Sequence, residues 1–368
     1  MTGNMFVDTS NVAYFLAERR LLTLESVVAG DFMVVDQTSR NRNLKIIRRK
    51  SPGFFIKQIP QRTPEYIQSM EREAACYRLA KKHHSFRSLR ALLPEFHYFD
   101  PVKYILVIEL LTDSESLWEY HLRVGSFPIE IATLQGEKLG SYHSQVKVNG
   151  QPDEATVFER KLPWILSIHE TNPMYLGQVS QGNSQLIGIL QQYPEFQMAL
   201  ANIKSSWTYT ALIHGDIKWE NIMLCRTGDG SPSELKIIDW EIADIGDECW
   251  DVGAILQAYF TFWIFSLPLN NGIGLADASM SSPFDTEGIK PALAAFWSSY
   301  AKSRKLDDKT SRQMLVRCMS CAAARMIQTA YESIQPTPQI SPHALCKLQM
   351  SMNILRDPGA AVSDLIGL

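Results

Sequence analysis

Five side chains carry the chemistry legible in this sequence: Lys57, Glu73, Asp216, Asn221 and Asp239. Residues 212–223 read LIHGDIKWENIM, which sets Asp216 and Asn221 five positions apart after an apolar run, with Lys218 between them. No strand, helix or turn requires that spacing. Moving a phosphoryl group does, because the nucleophilic hydroxyl must be oriented, metal ions held and phosphate charge neutralised. An aspartate beside the acceptor hydroxyl meets the first need. Asn and Asp oxygens meet the second, since Mg²⁺ takes hard oxygen ligands. Asp239 ends the run ELKIID, where a strand would deliver its carboxylate. Lys57 lies in the strand-like GFFIKQI, and Glu73 lies in MEREAACYRL on the helix that follows, placed to pair with it. Glu71 on the same helix is a rival partner. Singly, Asp216 is an ordinary turn residue and Asn221 an ordinary helix cap; in this order and company they form a set.

The elements that must position the set follow from periodicity. FMVVDQ, LKIIRR and GFFIKQI read as strands, separated by the polar turn TSRNRN and by KSPG. PEYIQSMEREAACYRLAKKH reads as a helix, and YILVIELL as a buried strand. Residues 9–22 open with Thr, Ser and Asn, types suited to a cap, and carry Val12, Phe15 and Leu16 at helical spacing, so a short helix is expected there. The first ~110 residues are therefore mostly strands around one helix. The rest is mostly helical, except for short strands in ALIHGD, NIMLC and ELKIIDW. A short hinge is expected just after Glu109.

Composition narrows the class. The chain has 368 residues, 45% hydrophobic and 20% charged, which fits a soluble two-lobed globular protein. A formal charge of −3 gives no footing for general nucleic-acid binding. The start, MTGNMFVDTS, has neither a basic region nor a long apolar core, so reduced thiols and a cytoplasmic location are expected. Cys318 and Cys321 form a C-x-x-C inside a helical pattern and read as structural thiols. Residues 252–269 approach transmembrane length but are interrupted by Gln257, and read as a buried core helix, with no membrane span expected.

HGDIKWENIM followed by KIIDWEIADIGDECWDVG resembles the aminoglycoside phosphotransferase and choline kinase-like family, small relatives of the protein kinases. The likeness lies in H-G-D-x-x-x-x-N, in I-D-W-E, and in the G-D-x-x-x-D formed by Gly246, Asp247 and Asp251. It extends more weakly to SRNRNLKI, with Asn41 in the place of the family's usual asparagine, and to LGSYHS at 139–144. The resemblance implies an α+β, two-lobed protein-kinase-like fold, with a β-rich lobe over 1–111 and a larger, mainly helical lobe over 112–368. It implies ATP and Mg²⁺ as cofactors. Asp216 would be the catalytic base, Asn221 and Asp239 the metal ligands, and Lys57 the contact to the α/β-phosphates with Glu73 as its ion-pair partner. Asn41 would sit in the phosphate-covering turn, and the backbone from Glu109 to Leu111 would read the adenine. Asp251 would steady the catalytic loop through hydrogen bonds.

The chain also departs from the family. There is no G-x-G-x-x-G, so backbone N–H groups with Arg40 or Arg42 would cradle phosphate. Lys218 and Glu220 make the loop closer to a protein kinase's D-x-K-x-E-N, and Lys218 would stabilise charge on the transferring phosphoryl. No A-P-E follows Asp239, so no phosphorylated activation loop is expected.

The family phosphorylates hydroxyls on antibiotics, choline, homoserine and sugars, which makes a hydroxyl-bearing small molecule the first acceptor. Residues 276–368 carry slightly more basic than acidic side chains, among them Lys290, Lys302, Arg304, Lys305 and Arg325, which speaks against a polycationic antibiotic. A second acceptor is a Ser/Thr peptide. The SRNRN turn, GFFIKQ and Lys218 are similar to stand-alone kinase-like proteins of class V lanthipeptide clusters, where a partner protein would be at hand. The eight Lys/Arg of residues 40–62, with no acid among them, would suit an acidic leader. A pseudokinase scaffold is the third reading.

Overall fold

A computed structural model describes residues 6–38, 41–146, 153–171, 177, 179–226, 232–269 and 286–368. Arg40 lies outside the described residues, as do most residues of the loop-like sequences VKVNGQPDE near 147 and SLPLNNGIG near 270. The chain forms two compact units. The first comprises residues 1–116, 150–159 and 221–243; the second comprises the remainder. Packing thus joins 221–243 to the front unit, a different cut of the chain from a division at residue 111.

The first unit is built on an antiparallel sheet of β1 (Met33–Asp36), β2 (Arg42–Ile47), β3 (Phe54–Gln58), β4 (Phe96–Asp100) and β5 (Ile105–Glu109), in the order β1-β2-β3-β5-β4. Strand alternation gives the sheet two different faces. Leu44, Ile46, Phe54 and Ile56 turn to one face and form a core with Val12, Phe15 and Leu16 of helix α1 (Val12–Glu18). Their neighbours Asn43, Lys45, Phe55 and Lys57 therefore turn to the other. Register fixes this, because Asn43 pairs with Lys57 and Lys45 with Phe55. Two short helices, α2 (Leu24–Val28) and α4 (Arg87–Leu92), join α1 and α3 (Pro64–Lys82), so the front unit holds more helix than its sequence pattern suggested. In α3, Pro64 opens the first turn and Lys81 and Lys82 close the last, which suits the missing proline N–H and the helix dipole. A smaller sheet joins β6 (Ser114–Ser116), β8 (Ile222–Arg226) and β9 (Pro232–Ile237).

The second unit pairs β7 (Ala211–Ile213) with β10 (Asp244–Gly246) and is otherwise helical. Its helices include α5 (Leu117–Val124), α6 (Ile129–Gln145), α7 (Gln181–Gln192), α8 (Pro194–Ser205) and α9 (Glu248–Ser266). Helices Thr286–Arg304, Asp308–Ser333, Pro342–Arg356 and Pro358–Ile366 follow. Glycines permit two close approaches. On α6, a Cβ at Gly136 would collide with the Phe296 carbonyl oxygen, and one at Gly140 would lie 2.8 Å from the Tyr300 oxygen. Gly136→Ala should therefore force the Thr286–Arg304 helix away and cost about 1–3 kcal/mol; chemical denaturation would show the lower midpoint. On α9, Gly253 lets the Asp308–Ser333 helix approach, since a Cβ there would lie 2.8 Å from the Ala322 nitrogen.

Helix α9 is almost wholly buried, with Tyr259 and Phe262 packed around Trp219 and His121. Burial holds His121 low, near 4, so its ring is a neutral member of this aromatic core. The YFTFWIF stretch is thus largely core, with Phe265 exposed. Among the described residues, no helix is long and apolar enough to cross a membrane. The six cysteines are free thiols, and Cys318 and Cys321 are buried.

Candidate active site

Within the first unit, Lys57 is the centre of an ionic cluster. Its Nζ lies 2.7 Å from Glu73 Oε2 and 2.7 Å from Asp239 Oδ1. The helix places Glu73, not Glu71, against the ammonium. Lys57 and Glu73 side chains are 9% and 2% exposed, whereas Asp239 is 36% exposed. Burial works against the lysine's charge, but Glu73 and Asp239 outweigh it and hold its pKa above the ordinary value. Burial likewise pushes the Glu73 carboxyl upward, against the pull of Lys57. Asp239 sits in the left-handed region at φ 68°, which costs a non-glycine residue about 1–2 kcal/mol. Such strain is common where a side chain is aimed for function.

The cluster lines a cavity of about 310 Å³. Asn43, Lys45 and Phe55 line it from the sheet, Glu109 to Leu111 from the chain after β5, and Asn221 and Met223 from the 221–226 segment. Asn221 and Asp239 are thus brought to one wall with Lys57 and Glu73. Asn41 is not on that wall; it is buried, with its amide 3.5 Å from Glu241. Asn43 lies there instead, and its buried Oδ1 has no hydrogen-bond partner among the described residues. The sequence pattern had not singled out Asn43 or Lys45, although alternation from Lys57 across the β2–β3 register would have found both. In the chain after β5, the Glu109 N–H donates to Glu95 O and the Leu110 N–H to Gly53 O. The basic 40–62 stretch is partly absorbed by the fold. Asp31 pairs with Arg48 and accepts the Arg49 and Lys50 N–H groups, and Arg42 stacks on Phe6.

Within the second unit, Asp216 follows β7 in a loop braced by α9. Gly215 takes φ +82°, a conformation that favours glycine. Asp251 accepts the His214 N–H at 2.7 Å and the Gly215 N–H at 3.0 Å, and the Trp250 indole N–H donates to the Gly215 carbonyl at 3.1 Å. His214 Nδ1 accepts the Asp216 N–H, and His143 hydrogen-bonds Tyr300. Both histidines act as buried hydrogen-bonding groups. Lys218 Nζ lies 3.1 Å from Asp216 Oδ2, and its side chain is 46% exposed. Arg325 Nη2 lies 2.9 Å from Asp216 Oδ1, and Arg325 is 4% exposed. Burial would raise the Asp216 pKa, but the Arg325 charge, helped by Lys218 and His214, holds it well below the usual carboxylate range. Arg325 had entered only as one of several basic side chains beyond residue 276. With Arg325 paired to Asp216 and Arg304 to Glu248, that basic surplus is partly spent inside the fold. It is a weaker argument about acceptor charge than it looked.

The residue types fit a nucleotide with a hard cation: a buried ammonium for phosphate, Asn and Asp oxygens on the same wall, and a buried amide oxygen without a partner among the described residues. Among the described residues there is no cluster of three or more His, Cys, Asp or Glu that would hold a metal without such a ligand. The sequence pattern of the phosphotransferase enzyme family (APH) matches residues 34–275, more than half of the chain. The chain belongs to this phosphotransferase family. It is accordingly a kinase-type enzyme, with an alcohol group as acceptor. Solved structures share its α+β, protein-kinase-like fold. A choline kinase from Cryptosporidium parvum Iowa II is 13% identical, with 98% of this chain and 99% of that one covered and a TM-score of 0.58. The amicoumacin kinase hAmiN, solved with AMP-PNP, Ca²⁺ and Ami, is 11% identical over 94% and 96% of the two chains, with a TM-score of 0.55. A glucosamine kinase solved with glucosamine, ADP and inorganic phosphate is 13% identical over 95% and 84%, with a TM-score of 0.52. At these identities the likeness is one of fold. No curated protein matches this phosphotransferase.

Proposed function

We propose that this phosphotransferase moves the γ-phosphoryl group of ATP, with Mg²⁺, to a hydroxyl of a small molecule. The observation that carries the proposal is the buried Lys57 ammonium held between Glu73 and Asp239 on the wall of the 310 Å³ cavity. A cavity of that size suits a cofactor-sized ligand. Lys57 binds α/β-phosphate oxygens, and Glu73 keeps it charged and aimed. Asn221 and Asp239 would hold Mg²⁺, which supplies charge neutralisation at the phosphates when bound. Backbone groups from Glu109 to Leu111 receive the adenine. Since the Glu109 and Leu110 N–H groups already have acceptors, the Leu111 N–H is the donor best placed for a base.

Asp216 Oδ2 accepts the proton of the acceptor hydroxyl as its oxygen bonds to phosphorus and the bond to the ADP oxygen breaks. Lys218, half exposed, moves its charge to the transferring phosphoryl. Catalysis is then mainly orientation and charge stabilisation. The functional lobes are taken as 1–111 and 112–368, and a cytoplasmic site of action accords with the free thiols.

The proposal predicts nucleotide affinity that depends on the metal through Asp239. Calorimetric titration of ATP should show tight binding with Mg²⁺ and weaker binding with EDTA. Asp239→Ala should erase the difference and weaken Mg·ATP binding by about 10-fold or more. No ATP binding to the wild type would favour a scaffold. Small-molecule acceptors known for the fold's solved members, choline, amicoumacin and glucosamine, set the first pool to test. A Ser/Thr peptide pool, with a candidate partner protein added, is the comparison arm.

A further inference from the structure

We propose that Arg325 is a positioning residue for the base: it pins Asp216 Oδ1 so that Oδ2 is the oxygen presented to the acceptor hydroxyl. This rests on Asp216 being the base. Arg325 lies 109 residues beyond Asp216 and outside the span matched by the family pattern. One guanidinium reaches three consecutive residues of the loop. Nη1 donates to the Gly215 carbonyl at 3.3 Å, and Nη2 to Asp216 Oδ1 at 2.9 Å and the Ile217 carbonyl at 3.4 Å. With Gln328 Oε1, the two terminal nitrogens serve four acceptors at once, one more than the three donors of an ammonium could.

The arginine is itself braced. Nη1 also donates to Gln328 Oε1 at 3.0 Å, and the Gln328 amide donates to Glu332 at 2.8 Å, one and two turns further along the helix. The guanidinium carbon lies 5.5 Å from the centroid of the Trp250 ring, whose N–H holds the same Gly215 carbonyl. Gly253 makes this possible, because it lets the Asp308–Ser333 helix close on α9.

The two cations on Asp216 differ in kind. Lys218 is half exposed and belongs to the loop itself, so it can leave Oδ2 when substrate arrives. Arg325 is buried and fixed from another helix, so it stays. Burying a guanidinium is costly and gains little stability even when paired. Its return here is geometry at the reacting carboxylate. The charged and titratable groups facing Asp216 include Arg325 from the long helix and Lys218 and His214 from the loop, with Asp251 of α9 behind the loop. Of these, Arg325 opposes the upward push of burial most strongly, so its loss should also lift the carboxyl.

The test is steady-state ADP release from Mg·ATP across pH, with water as the minimal hydroxyl acceptor. Wild type, Arg325→Met, Arg325→Lys and Asp216→Ala are compared, each with ATP titrated by calorimetry. Arg325→Met should lose roughly 10²-fold in kcat, with ATP affinity within about threefold of wild type, and should gain an acid limb at higher pH. Arg325→Lys should bring the acid limb back while leaving kcat low, because charge is restored and the fork is not. Should Arg325→Met fail to fold, Arg325→Lys decides alone: wild-type kcat overturns the proposal, and low kcat with a wild-type acid limb supports it. A folded Arg325→Met with wild-type kcat and pH profile also overturns it. Full activity in Asp216→Ala, or no ADP release from the wild type, removes instead the reading on which it rests.

Discussion

Asp216→Ala should lower turnover by about 10²–10⁴-fold, the usual contribution of a positioned general base, and leave ATP affinity nearly unchanged. The expectation follows from where Asp216 sits. Its carboxylate is kept ionised by Arg325 and Lys218 and is aimed by a loop whose peptide groups are held by Asp251 and Trp250. The cavity of the first unit proposed for the nucleotide is lined by other residues, Lys57, Asn221 and Asp239 among them. Loss in kcat without loss in nucleotide binding therefore separates the base from the binding groups. The variant leaves Arg325 buried and unpaired with a carboxylate, so a thermal melt must accompany the kinetics. Asp216→Asn keeps the hydrogen bond and shape but cannot take a proton. It should be as inactive as Asp216→Ala, with a smaller loss of stability.

Lys57→Ala should lower both stability and activity. Removing the ammonium strands Glu73, whose side chain is 2% exposed, and breaking one side of a buried pair typically costs about 3–5 kcal/mol. The cost depends on pH with a definite sign. Burial already pushes Glu73 upward, and without Lys57 nothing of opposite charge in the cluster pulls it back. Glu73 in the folded variant therefore has a pKa raised above its unfolded value. Stability is kept below the ordinary glutamate range and lost as pH rises through the folded value. Denaturation midpoints of Lys57→Ala against wild type should converge under acid conditions and diverge toward neutrality. A double variant, Lys57→Met with Glu73→Leu, should recover much of the stability, since apolar groups of similar volume replace the pair. It should not recover turnover, which should stay about 10²–10³-fold down for want of the phosphate-binding charge. Recovery of both would mean that Lys57 serves the fold alone.

How much of this was legible in the sequence differs from residue to residue, and the reasons are physical. Lys57 and Glu73 stand on a strand and the helix after it, so their order along the chain brought both into view, while the helix period left Glu71 as a rival that only the packing removes. The front sheet was readable because its core face alternates, with Leu44, Ile46, Phe54 and Ile56 buried against α1. Asn41 shows the limit. The family resemblance offered it in the turn, but the side chain on the cavity wall is Asn43. Alternation alone would put both on one side. What separates them is that β2 begins at Arg42, so that Asn43 pairs across from Lys57 while Asn41 precedes the strand and turns to Glu241. The helical pattern of residues 252–269 pointed to a core helix, and α9 is one, capped by Asp247 through the Cys249 N–H. Arg325 was invisible as a partner of Asp216. It lies in RQMLVRCMSCAAARMIQTAYE, where nothing marks one arginine from another. Its role depends on a helix approach allowed by Gly253, 72 positions away in the chain. Long-range packing of that kind has no local signature.

The most direct measurement is transfer of label from [γ-³²P]ATP with Mg²⁺ to two acceptor pools, small hydroxyl compounds and Ser/Thr-rich peptides, by the wild type and by Asp216→Ala. The account predicts label on a small hydroxyl acceptor with the wild type, and almost none with Asp216→Ala although that variant still binds ATP. Undiminished transfer by Asp216→Ala would contradict the assignment of the base, and label appearing only on peptides would contradict the acceptor class.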